Sequence, residues 1–418
     1  MSNNPLVHSV DNQLFVENVS LARIAAEYGT PCYVYSKAAL VKSYTGFASA
    51  FPARETLICY AAKANSNLAI LGLFAELGAG FDIVSEGELM RVLAAGGDPR
   101  KVVFSGVGKR AEEMRTALRH DILCFNVESE PELLRLAEVA TEMGKRAPIS
   151  IRVNPDVDPK THPYIATGLK ESKFGVAFEA APALYRRAQS LSSIEIVGID
   201  CHIGSQITEI SPFADALEKV LQLVDRLEAD GISLHHVDLG GGIGIRYKDE
   251  DPIALDEYAQ ALSAGLKGRN YQLIFEPGRY LVGNAGLLLT RVEYIKQGGE
   301  KHFAIVDAAM NDLIRPALYD AYHQALSVAP RAGAVPQSYD IVGPVCESGD
   351  FLARQRLLAL EPGDLVALMS AGAYGSVMSS NYNTRPRPAE IMIDGASTRL
   401  IRARERVQDL YAHEKLLP

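Results

Sequence analysis

TLICYAAKANSNL, residues 56–68, is an apolar run that ends in one cation and a turn. Leu57 through Ala62 have the composition of a buried strand, and Lys63 follows. Asn65, Ser66 and Asn67 then break the chain before Leu68, Leu71, Phe74 and Ala75 resume at helical spacing. A strand that delivers a lysine to its C-terminal end and passes into a helix is the repeating unit of α/β enzymes, which build active sites at such ends. An amine at an apolar strand end can have a lowered pKa and act as a nucleophile that forms a Schiff base. Taken alone, Lys63 is more simply a surface lysine at a strand exit. Its neighbours along the chain decide between the two.

Outward from this stretch the chain is rhythmic. Strand-like runs at TLICYA (56–61), GFDIV (80–84), KVVFS (101–105), ILCFNV (122–127), PISIRV (148–153), IEIVGIDCHI (194–203), HHVDLG (235–240) and YQLIFE (271–276) alternate with amphipathic helical patterns. The helices fall near 67–77, 86–95, 110–119, 129–143, 178–190, 211–229 and 254–266. Eight strands without a hairpin signal predict a closed (β/α)8 TIM barrel over 31–280, with an open doubly wound sheet as the other solution. After Gly278 strand-like runs follow one another directly: 287–295, 302–308, 339–346, 364–369, 390–394 and 398–403, with a short helix near 404–415. This predicts a C-terminal, mostly antiparallel β domain over 281–418. Residues 1–30, a strand at Leu14–Val19 and a helix with Ser20 as N-cap and Gly29 past its end, are expected to join it.

A length of 418 residues favours two domains, and 48% apolar with 22% charged residues describes a soluble globular chain. The net charge of −9 argues against non-specific nucleic-acid binding. No apolar run reaches membrane-spanning length, and MSNNPLVHSV lacks the basic segment and apolar core expected of a secretory leader. Five scattered cysteines without a CxxC suggest free thiols in a cytoplasmic protein, and the histidines show no metal-ligand spacing.

Chemistry collects where the barrel strands stop: Lys63 at the first, Asp82 in the second, Arg152 and Asn154 at the fifth, His202 and Ser205 at the sixth. Gly240-Gly241-Gly242 end the seventh, and Glu276-Pro277-Gly278-Arg279 the eighth. The expected phosphate site of this fold lies after strands seven and eight. DLGGGIGI (238–245) reads as an anion cradle of backbone N–H groups, or as a tight turn without a ligand. Glu276 after a buried strand needs a cation, either Arg279 or a ligand's protonated ring nitrogen. His202 alone would more often be a satisfied core histidine. An amine, a phosphate nest, a carboxylate for a pyridinium and a flat aromatic specify pyridoxal 5'-phosphate jointly, with Lys63 as the Schiff-base lysine.

The motifs YAAKAN, GFDIVSEGEL, HIGSQI, DLGGGIG, EPGRYLV, DAAMNDLIRPALY, GPVCESGD and GAYGSVMSSNYN, spread in order from about residue 10 to 415, closely resemble the diaminopimelate decarboxylases. These are pyridoxal-phosphate enzymes of the alanine-racemase-like fold that make L-lysine from meso-diaminopimelate. The resemblance implies that Lys63 holds the cofactor and returns as a proton-transfer group, that His202 stacks on its ring, and that Glu276 keeps the ring nitrogen protonated. It further implies phosphate contacts from Ser205, Gly241, Gly242, Gly278 and Arg279. From the second domain it implies Cys346 as the acid, Glu347 for the distal ammonium, Arg315 and Tyr319 for the distal carboxylate, and Tyr374 touching phosphate and substrate. It also implies a homodimer whose sites combine Lys63 of one subunit with Cys346 and Glu347 of the other. One departure is Ala309, where the family pattern has glycine.

Three neighbouring classes fit less well. Ornithine-type decarboxylases share the barrel and EPGR, but their substrate lacks the carboxylate that Arg315 would clamp. Alanine racemases pair the ring nitrogen with an arginine instead of Glu276, and pyridoxal-phosphate carrier proteins lack a β domain.

Overall fold

The computed structural model describes residues 5–52, 54–158, 173–299 and 301–418. The chain divides into two compact units, one of residues 43–245 and 251–280, the other of residues 1–42, 246–250 and 281–418. No helix among the described residues is long and apolar enough to cross a membrane.

The first unit is a closed parallel barrel. Its strands are β1 (Thr56–Ala61), β2 (Gly80–Ile83), β3 (Val102–Phe104), β4 (Cys124–Val127), β5 (Ala147–Asn154), β6 (Ile194–Asp200), β7 (His236–Asp238) and β8 (Gln272–Phe275). Each pairs in parallel with the next, and β8 pairs with β1 to close the ring. The eight strands coincide with the eight apolar runs, and seven helices fill the intervals predicted for them. A further helix, Lys37–Ser49, precedes β1.

Residues paired across a parallel ladder face the same way, so the register identifies what points inward. Ala61↔Asp82↔Val103, Asn126↔Ser150 and Arg152↔Asp200↔Asp238 belong to that inward set. The interior is therefore graded. Cys59, Val103, Cys124 and Ile274 form an apolar cluster toward the strand starts. Other inward side chains are polar, namely Asp82, Asn126, Arg152, Asp200 and Asp238, all buried. The two layers need different amounts of room. At Gly198 a Cβ would stand 2.1 Å from His236 Nε2, so glycine is what admits the buried imidazole, which also meets Ser150 Oγ at 2.8 Å. Burial pushes the His236 pKa down to about 4, so this ring is neutral packing material.

The second unit is built on a mostly antiparallel sheet in the order 351–358, 337–342, 301–306, 286–298, 32–36, 389–394 and 397–402, with the 325–327 and 365–368 strands attached. Two of its pairings are parallel, 301–306 with 337–342 and 389–394 with 32–36. The strand Cys32–Ser36 has every residue buried. It pairs with Gly286–Gly298 on one side and Ala389–Asp394 on the other, so residues before the barrel complete the sheet after it. The N-terminal helix Leu21–Tyr28 has Ser20 as N-cap, its Oγ accepting from the Arg23 N–H at 3.2 Å, and ends at Gly29 with φ 72°. The expected strand over 14–19 is split at Glu17, whose φ is 48°, into Gln13–Val16 and Val19–Ser20. The helix expected near 404–415 is only the 3-10 turn Val407–Tyr411. Ala309 is fully buried, and a Cβ on Gly343 would lie 2.5 Å from its methyl, so the glycine at 343 leaves room for the alanine side chain.

Candidate active site

Lys63 is placed by the turn that the asparagines make. It lies in the 3-10 turn Ala62–Ala64 directly after β1. Tyr60 donates to the Asn65 carbonyl at 2.8 Å, Asn65 Oδ1 accepts from the Asn67 N–H at 3.1 Å, and Asn67 Oδ1 caps the helix Leu68–Glu76 through the Ala69 N–H at 2.9 Å. The Lys63 side chain is 37% exposed, and its Nζ is 2.6 Å from Oδ2 of the fully buried Asp82. The amine is thus partly exposed and ion-paired to a buried carboxylate. Sequence reasoning gives Asp82 no role; an acid within the apolar GFDIV run is the signal that could have found it.

Opposite charges are not balanced further round the ring. Asp200, Asp238 and Glu276, all buried, each bring an oxygen within 4.8 Å of the others. Glu276 accepts from two neutral donors, Ser105 Oγ and Asn126 Nδ2, both to Oε1 at 3.3 Å. Arg279 turns elsewhere: its guanidinium reaches Ser205 Oγ at 3.1 and 3.3 Å. Burial raises the Glu276 pKa well above the carboxylate range, Asp238, Asp82 and Asp200 raise it further, and Lys63 opposes them. Burial also lifts Asp238, to about 7, against the pull of the Gly240 N–H. Among the described residues, Oδ1 of Asp82, Oδ1 of Asp200, Oδ2 of Asp238 and Nε of Arg152 have no hydrogen-bond partner. Buried acids in surplus, with unpartnered oxygens, suit a cationic group brought by a ligand.

The glycine run is shaped by contact. A Cβ on Gly241 would be 2.3 Å from the Glu276 carbonyl, and one on Gly242, at φ +111°, would be 2.6 Å from the Gly204 carbonyl. Glycine lets the ends of β6, β7 and β8 close on one another. Two of its N–H groups are already engaged, Gly240 with Asp238 Oδ1 at 2.8 Å and Gly241 with His202 Nδ1 at 3.1 Å. In this arrangement Gly241 orients the histidine. His202 Nδ1 is therefore an acceptor, and burial, with Arg152 and Lys63 nearby, depresses its pKa, so the ring is neutral. Ser205, paired with the buried Arg279, and Gly278, packed against Ala61 and Ala64, complete the strand-end set expected to receive a phosphate.

In the second unit Cys346 is exposed while the other four cysteines are buried. Asp350 shapes its loop, accepting from the N–H groups of Val345 at 2.8 Å and Met310 at 2.7 Å. The neighbouring Glu347 accepts a hydrogen bond from the Tyr382 hydroxyl, and Asn383 accepts from the Cys346 N–H. Arg315 and Tyr319 do open and close one short helix, Arg315 buried and Tyr319 half-buried. Tyr374 has φ 56°, a conformation that costs a non-glycine residue about 1–3 kcal/mol and clusters at functional sites.

An amine beside a carboxylate, a cradle for an anion, a neutral flat imidazole and a buried acid awaiting a cation match the two ends and the face of one molecule, pyridoxal phosphate. The class defined is the barrel enzymes that use it. The pyridoxal-binding domain of pyridoxal-dependent decarboxylases matches residues 37–283. The chain is 60% identical to the diaminopimelate decarboxylase of Pseudomonas aeruginosa and 57% to that of Vibrio cholerae, over 98% of both chains in each case. Its fold is similar to diaminopimelate decarboxylase from Helicobacter pylori complexed with L-lysine, at TM-score 0.91, 44% identity, 94% of this chain and 98% of that one. It is likewise similar to the enzyme from M. jannaschii in complex with L-lysine, at TM-score 0.95, 38% identity, 100% of this chain and 99% of that one. The chain belongs to the diaminopimelate decarboxylase family.

Proposed function

We propose that this protein decarboxylates meso-2,6-diaminopimelate to L-lysine and CO2, with pyridoxal 5'-phosphate as cofactor. The observation that carries the proposal is the pairing of Lys63 with Asp82, together with a buried carboxylate, Glu276, whose hydrogen-bond donors Ser105 and Asn126 are neutral. When bound, the cofactor supplies an electron sink for the pair left as the C–CO2 bond breaks. Glu276 holds a proton on its ring nitrogen, which a racemase's arginine would not do. Neutral His202 offers a flat face without a charge that would oppose that proton. Ser205, Gly242, Gly278 and Arg279 bind the phosphate, with Gly241 and Tyr374 supporting them. Asp82 holds the Lys63 amine near the reacting carbon, where the lysine accepts and returns protons.

The second unit finishes the reaction. The Cys346 thiol gives its proton to the carbon that lost CO2, Glu347 takes the distal ammonium, and Arg315 with Tyr319 takes the distal carboxylate, with Arg279 and Tyr374 also touching substrate. In this proposal the protein is a cytoplasmic homodimer, and Cys346 and Glu347 act in the site of the subunit opposite. A panel of amino acids assayed for CO2 release, with product chirality determined, tests the assignment. Meso-diaminopimelate should be decarboxylated far faster than ornithine, arginine or lysine and give only L-lysine. Equal rates with ornithine would overturn it.

A further inference from the structure

Arg315 is held by two residues that have no part in the site described so far. Its guanidinium carbon lies over the Tyr247 ring, 4.7 Å from the centroid. Its Nη1 is 3.3 Å from His323 Nε2. The other ring nitrogen, Nδ1, is 2.8 Å from the Met369 carbonyl. That carbonyl can only accept, so Nδ1 bears the proton. A guanidinium can only donate, so Nε2 must carry none. One neutral tautomer satisfies both contacts, and a doubly protonated ring would set a donor against a donor.

The framework around the ring is rigid. His323 is fully buried, and the Tyr247 and His323 rings meet edge-on at 5.6 Å and 83°. Ala325–Ser327, two residues after His323, pairs with Leu365–Leu368, and the Met369 N–H donates to the Gln324 carbonyl at 2.8 Å. The acceptor for Nδ1 is thereby locked in register with the histidine itself. A buried arginine is also seldom left without a task when aromatic and imidazole groups constrain two sides of it. A guanidinium stacked on a ring has its plane fixed, and that plane sets how it meets a planar carboxylate.

We propose that His323, with Nδ1 protonated and Nε2 accepting, acts with Tyr247 as a positioning residue that aims Arg315 at the carboxylate the substrate keeps. This rests on the reading of Arg315 as the distal-carboxylate clamp. Decarboxylation removes the carboxylate at the reacting carbon, so the distal one survives in L-lysine. The positioned guanidinium therefore recognises substrate and product alike, and both lose the benefit when it is released. A pinned side chain gives up little rotamer freedom on pairing, whereas a loose arginine must lose it on each binding event.

The test uses the holoenzyme and calorimetric titration with two ligands, L-lysine and 1,5-diaminopentane, which is lysine without the carboxylate. In His323→Asn the amide replaces Nδ1 and keeps the Met369 bond but offers no acceptor to Arg315. In His323→Gln the amide oxygen stands near the Nε2 position and restores the acceptor. His323→Asn should weaken L-lysine by about 10- to 100-fold, the range for a hydrogen bond to a charged group, and change the diamine by less than about twofold. His323→Gln should recover most of the lysine affinity. With meso-diaminopimelate, His323→Asn should raise KM and leave kcat within a few fold. Equal weakening of both ligands by both variants, or undiminished lysine binding by His323→Asn, would overturn the proposal. Tyr247→Leu provides the same test at a second position if the histidine variants do not fold, and should weaken lysine selectively. Unchanged lysine affinity in Tyr247→Leu would then count against the proposal. Arg315→Ala separates the two layers of the argument. If it weakens lysine and diamine equally, the clamp itself falls and the positioning role with it. If it discriminates while His323→Asn and Tyr247→Leu do not, only the positioning role falls.

Discussion

Replacing Asp238 by asparagine should stabilise the cofactor-free protein at neutral pH and have no such effect in acid. Asp238 is fully buried, accepts the Gly240 N–H through Oδ1, and has no partner on Oδ2 among the described residues. Asparagine can keep the first contact and place an N–H donor toward the neighbouring carboxylates. The sign follows from linkage. Burial raises the Asp238 pKa from 3.8 to about 7 in the folded chain. Between those values the folded state holds a proton that the unfolded state has released, so stability falls as pH rises through this window. Such a rise is roughly a thousandfold in proton affinity. At about 1.4 kcal/mol per tenfold, it sets ~4 kcal/mol as the upper bound on the penalty above pH 7. The asparagine variant should remove most of that penalty at pH 8 and differ little from the parent at pH 4. Urea denaturation of the apo-protein at half-unit pH intervals measures both slopes. A variant whose stability tracks the parent in parallel across the range, or falls below it at pH 8, would refute the reasoning. In the holoenzyme the effect should shrink, because the ligand's cation neutralises the surplus charge for which the acids are arranged.

Other consequences are independent of that cluster. Gly198→Ala would put a methyl group 2.1 Å from His236 Nε2 and should cost about 3 kcal/mol or more, recovered in part by adding His236→Ala; thermal melting of the single and double variants checks this. Borohydride reduction of the holoenzyme should fix pyridoxyl on Lys63, with peptide mapping as the readout, and a label on Lys109 or another lysine would move the site. Lys63→Ala and Cys346→Ala homodimers should each be nearly inactive, yet subunit exchange should restore activity to about a quarter of all sites, by the pairing rules of a two-fold assembly. No recovery despite demonstrated exchange would place both residues in the same subunit's site.

The barrel was legible in the sequence because most residues of its strands are buried whichever face they point to, so the strands read as apolar runs bounded by turn residues. CYVYS at 32–36 has the same composition, yet it pairs with partners near residues 288 and 391, and no local pattern reports such distant pairing. Phe351–Leu358 escaped because its buried residues are few and Arg354, Gln355 and Arg356 interrupt them. The site divides in the same way. Lys63, His202 and Glu276 were legible as candidates because a polar residue at a strand end is conspicuous. The convergence of Asp200, Asp238 and Glu276 could not, since it depends on the register of three strands around a closed ring. His323 and Tyr247 lie 76 residues apart, and nothing local in the sequence reports that their rings meet each other and Arg315. The destination of the Gly241 N–H was likewise invisible, because a glycine run states where backbone approaches closely and not which acceptor it meets.

The most direct test of the whole account is turnover of meso-diaminopimelate in D2O, followed by mass spectrometry and NMR of the product. The account predicts one equivalent of CO2 and L-lysine carrying a single deuterium on its ε carbon, with the α hydrogen retained, because the solvent-exchanged acid protonates only the carbon that lost CO2. Deuterium at an α carbon of diaminopimelate without CO2 release would contradict it, since that is the outcome of an enzyme that moves a proton and leaves the carboxylate in place.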